Sequence, residues 1–344
     1  MTGEDAEAPP LPHSSCISDG TPAHNRGTAC VGPLDPLVDV SAIIVNWNTK
    51  NLLHACLTSL QDDATAVRVE TIVVDNGSRD GSAQMVARDF PGVQLLVNAR
   101  NMGFAAATNR GMKQARGRYV LLLNSDAVVL PGAIQEMVRY MDAHPHVGAV
   151  GPRLRNGDRS PQSSMRDFPH LDRDALAILE MERWPLVGRI IWRYSRHTSL
   201  YGSDHSTTRD VDWVVGACLL LRREAIEHVG SLDEGYFFFA EEMDLCWRLR
   251  QHGWPIVFLA SAEIVHLGGQ SAARVPAARL TWHYAGLLRF YGRHRTPAHC
   301  TVLRAVIALA AALHMMWLLV RHGPSARTRP LLAAYARVLT RALT

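Results

Sequence analysis

Three aliphatic runs, each halted by Asn or Asp, constrain this chain more than any other feature of its sequence. They are Val40–Val45 in "VSAIIVNWN", Val69–Val74 in "VETIVVDNGS" and Tyr119–Leu123 in "YVLLLNSDAVV". Near-continuous apolar strands belong to sheets covered on both faces, whereas one-sided sheets show strict alternation. Helix-like stretches separate the runs, at Leu52–Leu60, about Ser82–Asp89 and about Phe104–Ala115, with a further strand in "VQLLVN". Alternating strands and helices predict an α/β fold with a mostly parallel, Rossmann-like central sheet flanked by helices and joined by right-handed crossovers. Such sheets place ligands outside the carboxyl ends of their strands, where these polar stops fall.

A chain of 344 residues, 47% apolar and 20% charged, has the composition of a globular protein. Its net charge of +4 is mild and its basic residues form no long stripe before the last third, so no nucleic-acid partner is expected. Six cysteines without a CxxC pair argue against a zinc site or a disulfide framework and suit a reducing compartment. "MTGEDAEAPP" has no basic region followed by an apolar stretch, so no signal peptide is expected. Residues 1–38, rich in Pro, Gly, Ser and Thr, read as a flexible tail.

Beyond Gly151 the pattern changes. Asn156-Gly157 signals a hairpin, and residues 165–210 read as a variable insertion. Strand-like "VDWVVGACLLLRR" and a helix in "AEEMDLCWRLRQHGW" follow, with Leu245 and Leu249 on one face and Gly253 at its end. From Ala305 to Val320 only His314 interrupts an apolar helix, which at about 24 Å is short of a ~30 Å hydrocarbon core. After Pro330 an amphipathic basic pattern fits a helix lying on a membrane or packing on protein.

Four polar clusters fall at strand ends or in the loops after them. Asp75, before Asn76-Gly77-Ser78, suits a turn or a hydrogen bond to a nucleobase or ribose. Asn124, Ser125 and Asp126 offer a turn cap or an oxygen ligand for a hard divalent cation. Glu241, Glu242 and Asp244 suit a helix N-terminus, yet their crowding can raise a carboxyl pKa toward that of a general base. His266, before a Gly-Gly turn, is either a buried structural residue or a metal ligand. No GxGxxG follows the first strand and no Walker motif is present.

Taken in order, "VSAIIVNWN", "IVVDNGSRDGS", "NARNMGFAAATNRG", "LLNSDAVV", "DWVVGACLLLRREAIEHVGSLDEGYFFFAEEMDLCWRLRQHGW" and "EIVHLGGQSA" resemble the inverting family 2 glycosyltransferases of GT-A fold, most closely the rhamnosyltransferase-like branch. The resemblance covers about residues 38–295. It implies a GT-A region over 39–295 and a C-terminal helical extension over 296–344. It further implies that Asp75 holds the nucleobase side of a sugar nucleotide, with Asn46 and Asn48 beside it. Asn101, Gly103, Phe104 and Asn109 match the loop that shapes the donor pocket, which Asn124 and Ser125 adjoin. Asp126 ends the family's DxD-type signature, which here reads Asn-Ser-Asp. Lacking its first carboxylate, binding of Mn²⁺ or Mg²⁺ rests on Asp126 and His266.

Alignment through "DLCWR" sets Glu242 at the family's catalytic Asp, its extra methylene moving the carboxylate about 1.5 Å outward. Glu241 is the rival base. Trp213, Gly216 and Ala217, with Asp244, fall at the sugar or acceptor site. The implied reaction is inverting, metal-dependent sugar transfer from a dTDP- or UDP-linked donor, rhamnose first, to a saccharide or polyprenyl-linked acceptor in cell-surface glycan synthesis. The implied setting is the cytoplasm, peripheral on the inner face of the membrane, with residues 301–344 as the contact. A nucleotidyltransferase would need a Gly-rich basic loop where this chain has "NWNTKN". A non-catalytic sugar-nucleotide or glycan-binding protein would lack the base or metal residue, and both Glu242 and Asp126 are present.

Overall fold

In the computed structural model, residues 30–63, 67–179, 205–268, 275–326 and 328–344 are described. The amino-terminal half runs β1 (Val40–Asn46), α1 (Lys50–Asp63), β2 (Val69–Asp75), α2 (Ser82–Asp89), β3 (Gln94–Val97), α3 (Phe104–Met112) and β4 (Tyr119–Asn124). All four strands are parallel, in the spatial order β3-β2-β1-β4. Helix α1 is longer than the apolar pattern suggested and α3 stops sooner, because helix ends are set by contacts that periodicity does not show.

The chain then forms β5 (Ala127–Val129), α4 (Ala133–Ala143) and β6 (Ala149–Arg155), followed by β7 (Pro161–Gln162), β8 (Met165–Arg166) and α5 (Leu171–Ile178). β6 and β7 make the hairpin expected at Asn156-Gly157, closed by the Asn156 amide donating to Ser160 O at 2.9 Å. The expected insertion at 165–210 contains β8 and α5; its central part, 180–204, lies outside the described residues. β9 (Arg209–Val211), β10 (Trp213–Val214), β11 (Cys218–Arg222), α6 (Arg223–Val229), α7 (Glu241–Gln251) and β12 (Ile256–His266) complete the α/β part.

β11 runs antiparallel between β4 and β6, and β12 runs parallel to β6. The six strands β3, β2, β1, β4, β6 and β12 therefore point the same way, and the single reversed strand in their midst begins at the edge where they end. That reversal brings Gly216 and Ala217 to the edge carrying Asn46, Asp75, Asn124 and His266.

Both faces of the sheet are covered. Ile43, Ile72 and Leu122 pack with Met112, Ile226 and Leu249, while Ile44, Val73 and Leu121 pack with Leu53, Met85 and Met137. Alternate residues of one strand thus enter opposite cores, which is why its sequence shows no polar face.

Residues 1–29 of the expected tail lie outside the described residues. Residues 30–38 are docked: Val31 is buried, and the buried Arg223 guanidinium donates to Gly32 O at 2.7 Å as well as to Gly117 O and Ala115 O. Composition gave no sign of this tie, since its anchor lies nearly two hundred residues away.

Three helices follow: α8 (Pro276–His294), α9 (Pro297–His322) and α10 (Arg329–Leu343). Leu303, Ile307 and Val338 join the same apolar cluster as Ile43 and Ile72. Helix α9 has 26 residues, not the sixteen of its uninterrupted apolar core, because Pro297 opens it early and polar residues extend both ends. At about 39 Å it is long and apolar enough to cross a membrane. Only 28% of its most apolar window is buried.

Candidate active site

The polar residues that stop β1 and β2 lie side by side, Asn46 opposite Asp75 in the parallel ladder. Asn46 Nδ2 donates to Asp75 Oδ2 at 3.2 Å and to Ser78 Oγ at 3.1 Å, and its Oδ1 accepts from Thr49 Oγ1 at 2.6 Å. Thr49 Oγ1 in turn lies 3.0 Å from Ser125 Oγ, the neighbour of Asp126. A continuous buried relay therefore runs from Asp75 to the residue beside Asp126. Asn48, held at φ +54°, donates from its amide to Ser78 Oγ and accepts from the Arg79 amide, so it braces the loop after β1.

Asn76, read from sequence only as part of a turn, organises the neighbouring loop. Its Nδ2 donates to Asn101 Oδ1 and Gly103 O, and its Oδ1 accepts from Asn98 Nδ2 and the Met102 amide. Gly103 is needed here: its φ is +88°, and a Cβ would stand 2.7 Å from Phe237 O, which accepts from the Phe104 amide. Asn109 faces elsewhere. Both ends of its amide bond the backbone of Leu232, clamping that loop to α3. Trp47, Asn76, Asn101, Phe104, Phe238 and Trp282 line a pocket, whereas the neighbouring Asp75 is buried, its Oδ1 accepting from the Ser78 amide at 2.8 Å. No motif in the sequence marks Trp47, Phe238 or Trp282, although Trp47 stands between Asn46 and Asn48.

Asp126, in the turn between β4 and β5, meets His266 at the end of β12, with Asp126 Oδ1 3.3 Å from His266 Nε2. Two ligands at adjacent octahedral positions around a cation with bonds near 2.1 Å are about 3 Å apart, so this pair fits a divalent ion. Among the described residues no group of three or more His, Cys, Asp or Glu side chains gathers as a metal site. The pair would thus need donor oxygens and water to complete the shell, as Mg²⁺ commonly does with phosphates. Asn124 Nδ2 approaches His266 Nε2 at 3.4 Å, and the Asn124 amide donates to Ala217 O.

That last bond leads to the acidic helix. Gly216, next to Ala217, donates from its amide to Glu242 Oε1 at 3.3 Å, and a Cβ on Gly216 would stand 3.1 Å from Glu242 Cγ. Asp75, Asp126 and Glu242 are therefore joined by one short chain of contacts along the sheet edge. Glu242 is half-buried, whereas Glu241 is buried, and each keeps one enclosed oxygen without a hydrogen-bond partner. Burial pushes both carboxyls above their ordinary range, with the neighbouring Glu242 charge adding to the rise at Glu241. Arg166, in the stretch that gave no pattern, lies near enough to favour the charged form of Glu242.

Helix α7 starts from strain. Phe239 and Ala240 both have positive φ, +72° and +73°, each costing on the order of 1–3 kcal/mol. Gly286 of α8 accommodates this turn, because a Cβ there would stand 2.7 Å from Phe239 O.

Asp244 is not brought into the cleft, while Trp213 pairs with Arg166 in the β8–β10 ladder. Asp244 is fully buried, accepting from Arg248 Nε at 2.8 Å and lying 2.7 Å from His294 Nε2. Burial alone would raise its carboxyl, but His294 and Arg248 hold it down to about 2. It anchors α8 instead. Trp213 donates its indole N–H to Asp167 O at 2.9 Å and packs half-buried against the core.

The family model described as "Glycosyl transferase family 2" matches residues 41–230. An N-acetylglucosaminyl-diphospho-decaprenol L-rhamnosyltransferase of Mycobacterium tuberculosis is 34% identical, covering 80% of this chain and 93% of that protein. The low-salt glycan biosynthesis hexosyltransferase Agl10 of Haloferax volcanii is 22% identical and covers 67% of each chain. Among solved structures, GalNAc-T7 with UDP, GalNAc and Mn²⁺ superposes with a TM-score of 0.50 at 15% identity, over 67% of this chain and 43% of that one; the likeness is one of fold.

The raised Glu241 carboxyl predicts a pH-dependent stability. A folded-state pKa above the unfolded one costs nothing below the unfolded value and erodes stability as pH rises through the interval above it. Glu241→Gln is expected to raise the melting temperature at pH 8, by roughly 2–4 °C for each kcal/mol relieved, with the gap closing toward pH 4. Melting curves of both proteins across that range check this; a pH-independent gap rules it out.

Proposed function

Because this chain belongs to glycosyl transferase family 2, we propose that it is an inverting enzyme acting at the edge where Asp75, Asp126 and Glu242 meet. The observation that supports this most directly is the hydrogen-bonded path Asp75–Asn46–Thr49–Ser125, continued through Asn124 and Ala217 to Gly216 and Glu242. The aromatic pocket beside Asp75 receives the nucleobase, with Trp47 and Phe104 offering ring faces and Asp75 accepting from a base or ribose donor. The diphosphate then lies over Ser125 and Asp126.

An acceptor hydroxyl attacks the anomeric carbon from the face opposite the diphosphate. The new carbon–oxygen bond forms as the bond to the diphosphate breaks, and the hydroxyl proton passes to Glu242. Glu242 is preferred to Glu241 as the base because it is less enclosed and abuts Gly216 at the strand edge, and burial raises its carboxyl, which strengthens it as a proton acceptor. Asp126 and His266 would hold a divalent cation, Mn²⁺ or Mg²⁺; when bound, such an ion neutralises charge on the departing diphosphate.

By its similarity to the mycobacterial rhamnosyltransferase, the donor is dTDP-rhamnose, with UDP-linked hexoses next, and the acceptor a polyprenyl diphosphate-linked saccharide in cell-envelope glycan synthesis. A cytoplasmic enzyme peripheral on the inner face of the membrane would meet such an acceptor. Helix α9 supports that setting. Leu309, Leu313, Met316, Trp317 and Val320 form an exposed stripe on one face, Val320 being 84% exposed, while Leu303, Ile307, Ala310 and Leu318 pack inward. Beyond Glu263 the sequence has arginines to its end but no Asp, Glu or Lys. Each large apolar side chain buried in lipid contributes about 1.5–3 kcal/mol, and each arginine near an anionic surface about 1 kcal/mol. The stripe supplies the apolar attraction and the arginines bias it toward anionic lipid. With its other face packed on the protein, α9 lies along the surface instead of crossing.

Three outcomes test these assignments. Glu242→Gln should retain sugar-nucleotide binding by calorimetry while turnover falls at least a hundredfold; if Glu241→Gln does this instead, the two glutamates exchange roles. Asp126→Ala should lose both transfer and Mn²⁺-dependent donor binding, and full activity in that variant would dismiss the cation site. Met316→Glu combined with Val320→Glu should leave the circular dichroism unchanged yet abolish flotation with phosphatidylglycerol vesicles. Undiminished flotation would remove α9 as the contact. A thermal-shift panel of dTDP- and UDP-sugars, with and without Mn²⁺, identifies the donor.

A further inference from the structure

We infer that Gln162, on the short edge strand β7, is a positioning residue that fixes the tautomer of His266 and leaves its Nε2 lone pair facing Asp126. The inference rests on reading Asp126 and His266 as a cation pair, and is about the residue that makes the imidazole a ligand at all.

The hydrogen-bond pattern allows one arrangement. Asn156 Nδ2 donates to Ser160 Oγ at 2.9 Å and Pro161 O at 3.3 Å, so its Oδ1 points the other way. Toward that oxygen Gln162 Nε2 donates at 2.8 Å, and the same nitrogen donates to His266 O at 3.1 Å. Turning the Gln162 amide over would set an oxygen against two acceptors, so its Oε1 must face the imidazole, 2.8 Å from His266 Nδ1. An acceptor there requires the proton on Nδ1. In the neutral ring Nε2 then carries the lone pair, and Asn124 Nδ2 approaches it as a donor at 3.4 Å. In that tautomer the ring places no proton between Nε2 and Asp126 Oδ1, 3.3 Å away, a spacing that a cation can join.

A metal-bound histidine commonly donates its second N–H to a protein acceptor, which orients the ring and raises its basicity, and losing that partner typically costs 10–100-fold in metal affinity. Here the acceptor comes from the β6–β7 hairpin. The turn Asn156–Ser160 thereby sets the metal edge of the site without touching substrate, and Asn156 acts through Gln162.

The test compares wild type, Gln162→Met and Gln162→Glu, each checked for folding by circular dichroism. Nitrogen-15 NMR of the metal-free proteins should report a protonated Nδ1 and a bare Nε2 at His266 in wild type. Gln162→Met, which keeps length but removes the acceptor, should show a mixed tautomer signal and weaken Mn²⁺ binding, read by electron paramagnetic resonance, by 10–100-fold. Gln162→Glu keeps an acceptor for Nδ1–H but sets its second oxygen against Asn156 Oδ1 and His266 O, so it should keep the protonated Nδ1 signal while its Mn²⁺ affinity falls between those of Gln162→Met and wild type. Unchanged tautomer and Mn²⁺ affinity in Gln162→Met would overturn the role of Gln162 while leaving the cation pair standing. No Mn²⁺ binding by wild type would overturn the pair itself, and ligand positioning with it.

Discussion

The register between β1 and its two parallel neighbours is what every part of the site depends on. Asn46 is opposite Asp75 and Val45 is opposite Asn124, so three strands stop within a residue of one another. Side chains along a strand alternate between faces, and a slip of one residue would turn each to the wrong side. With β1 buried on both faces the slip would also exchange the two cores, since Ile43 and Ile44 serve opposite ones. Core packing thus holds a polar arrangement in place that its own hydrogen bonds, each contributing about 1 kcal/mol net, could not enforce.

The site itself is a local expense within that frame. Two carboxyls are enclosed together, each with an oxygen lacking a partner, and the turn leading to them holds two non-glycine residues at positive φ. Such features persist only where the surroundings over-determine them. Helix α8 is the surrounding element that does so. Gly286 admits the turn, Arg289 pairs with Asp233 at 2.8 Å, and His294 reaches Asp244, two residues along the helix from Glu242.

Much of this was legible in the sequence because its causes are local. The strands, their polar stops, the helix carrying Glu241 and Glu242, and His266 at a strand end all follow from patterns a few residues long. Asp244 shows where that approach fails: it stands among acidic neighbours at the helix start, yet its partners are Arg248 and, fifty residues on, His294. Asn109 is similar, its amide turned to a loop over a hundred residues away. Gln162 and Arg166 gave no signal because a two-residue edge strand has no periodicity. The full length of α9 was hidden because polar residues continue a helix as well as end one, and the docking of residues 30–38 because Arg223 supplies it from a distant element.

The dependence of Glu242 on α8 has a practical corollary. The stretch recognised by the family model closes at residue 230, before either glutamate, and still further from Arg289 and His294. Cutting the protein at that boundary, or anywhere ahead of residue 294, would unbrace the helix that presents Glu242. The least portion of this polypeptide able to work alone is set by a strut near its far end, and not by where its recognisable signature stops.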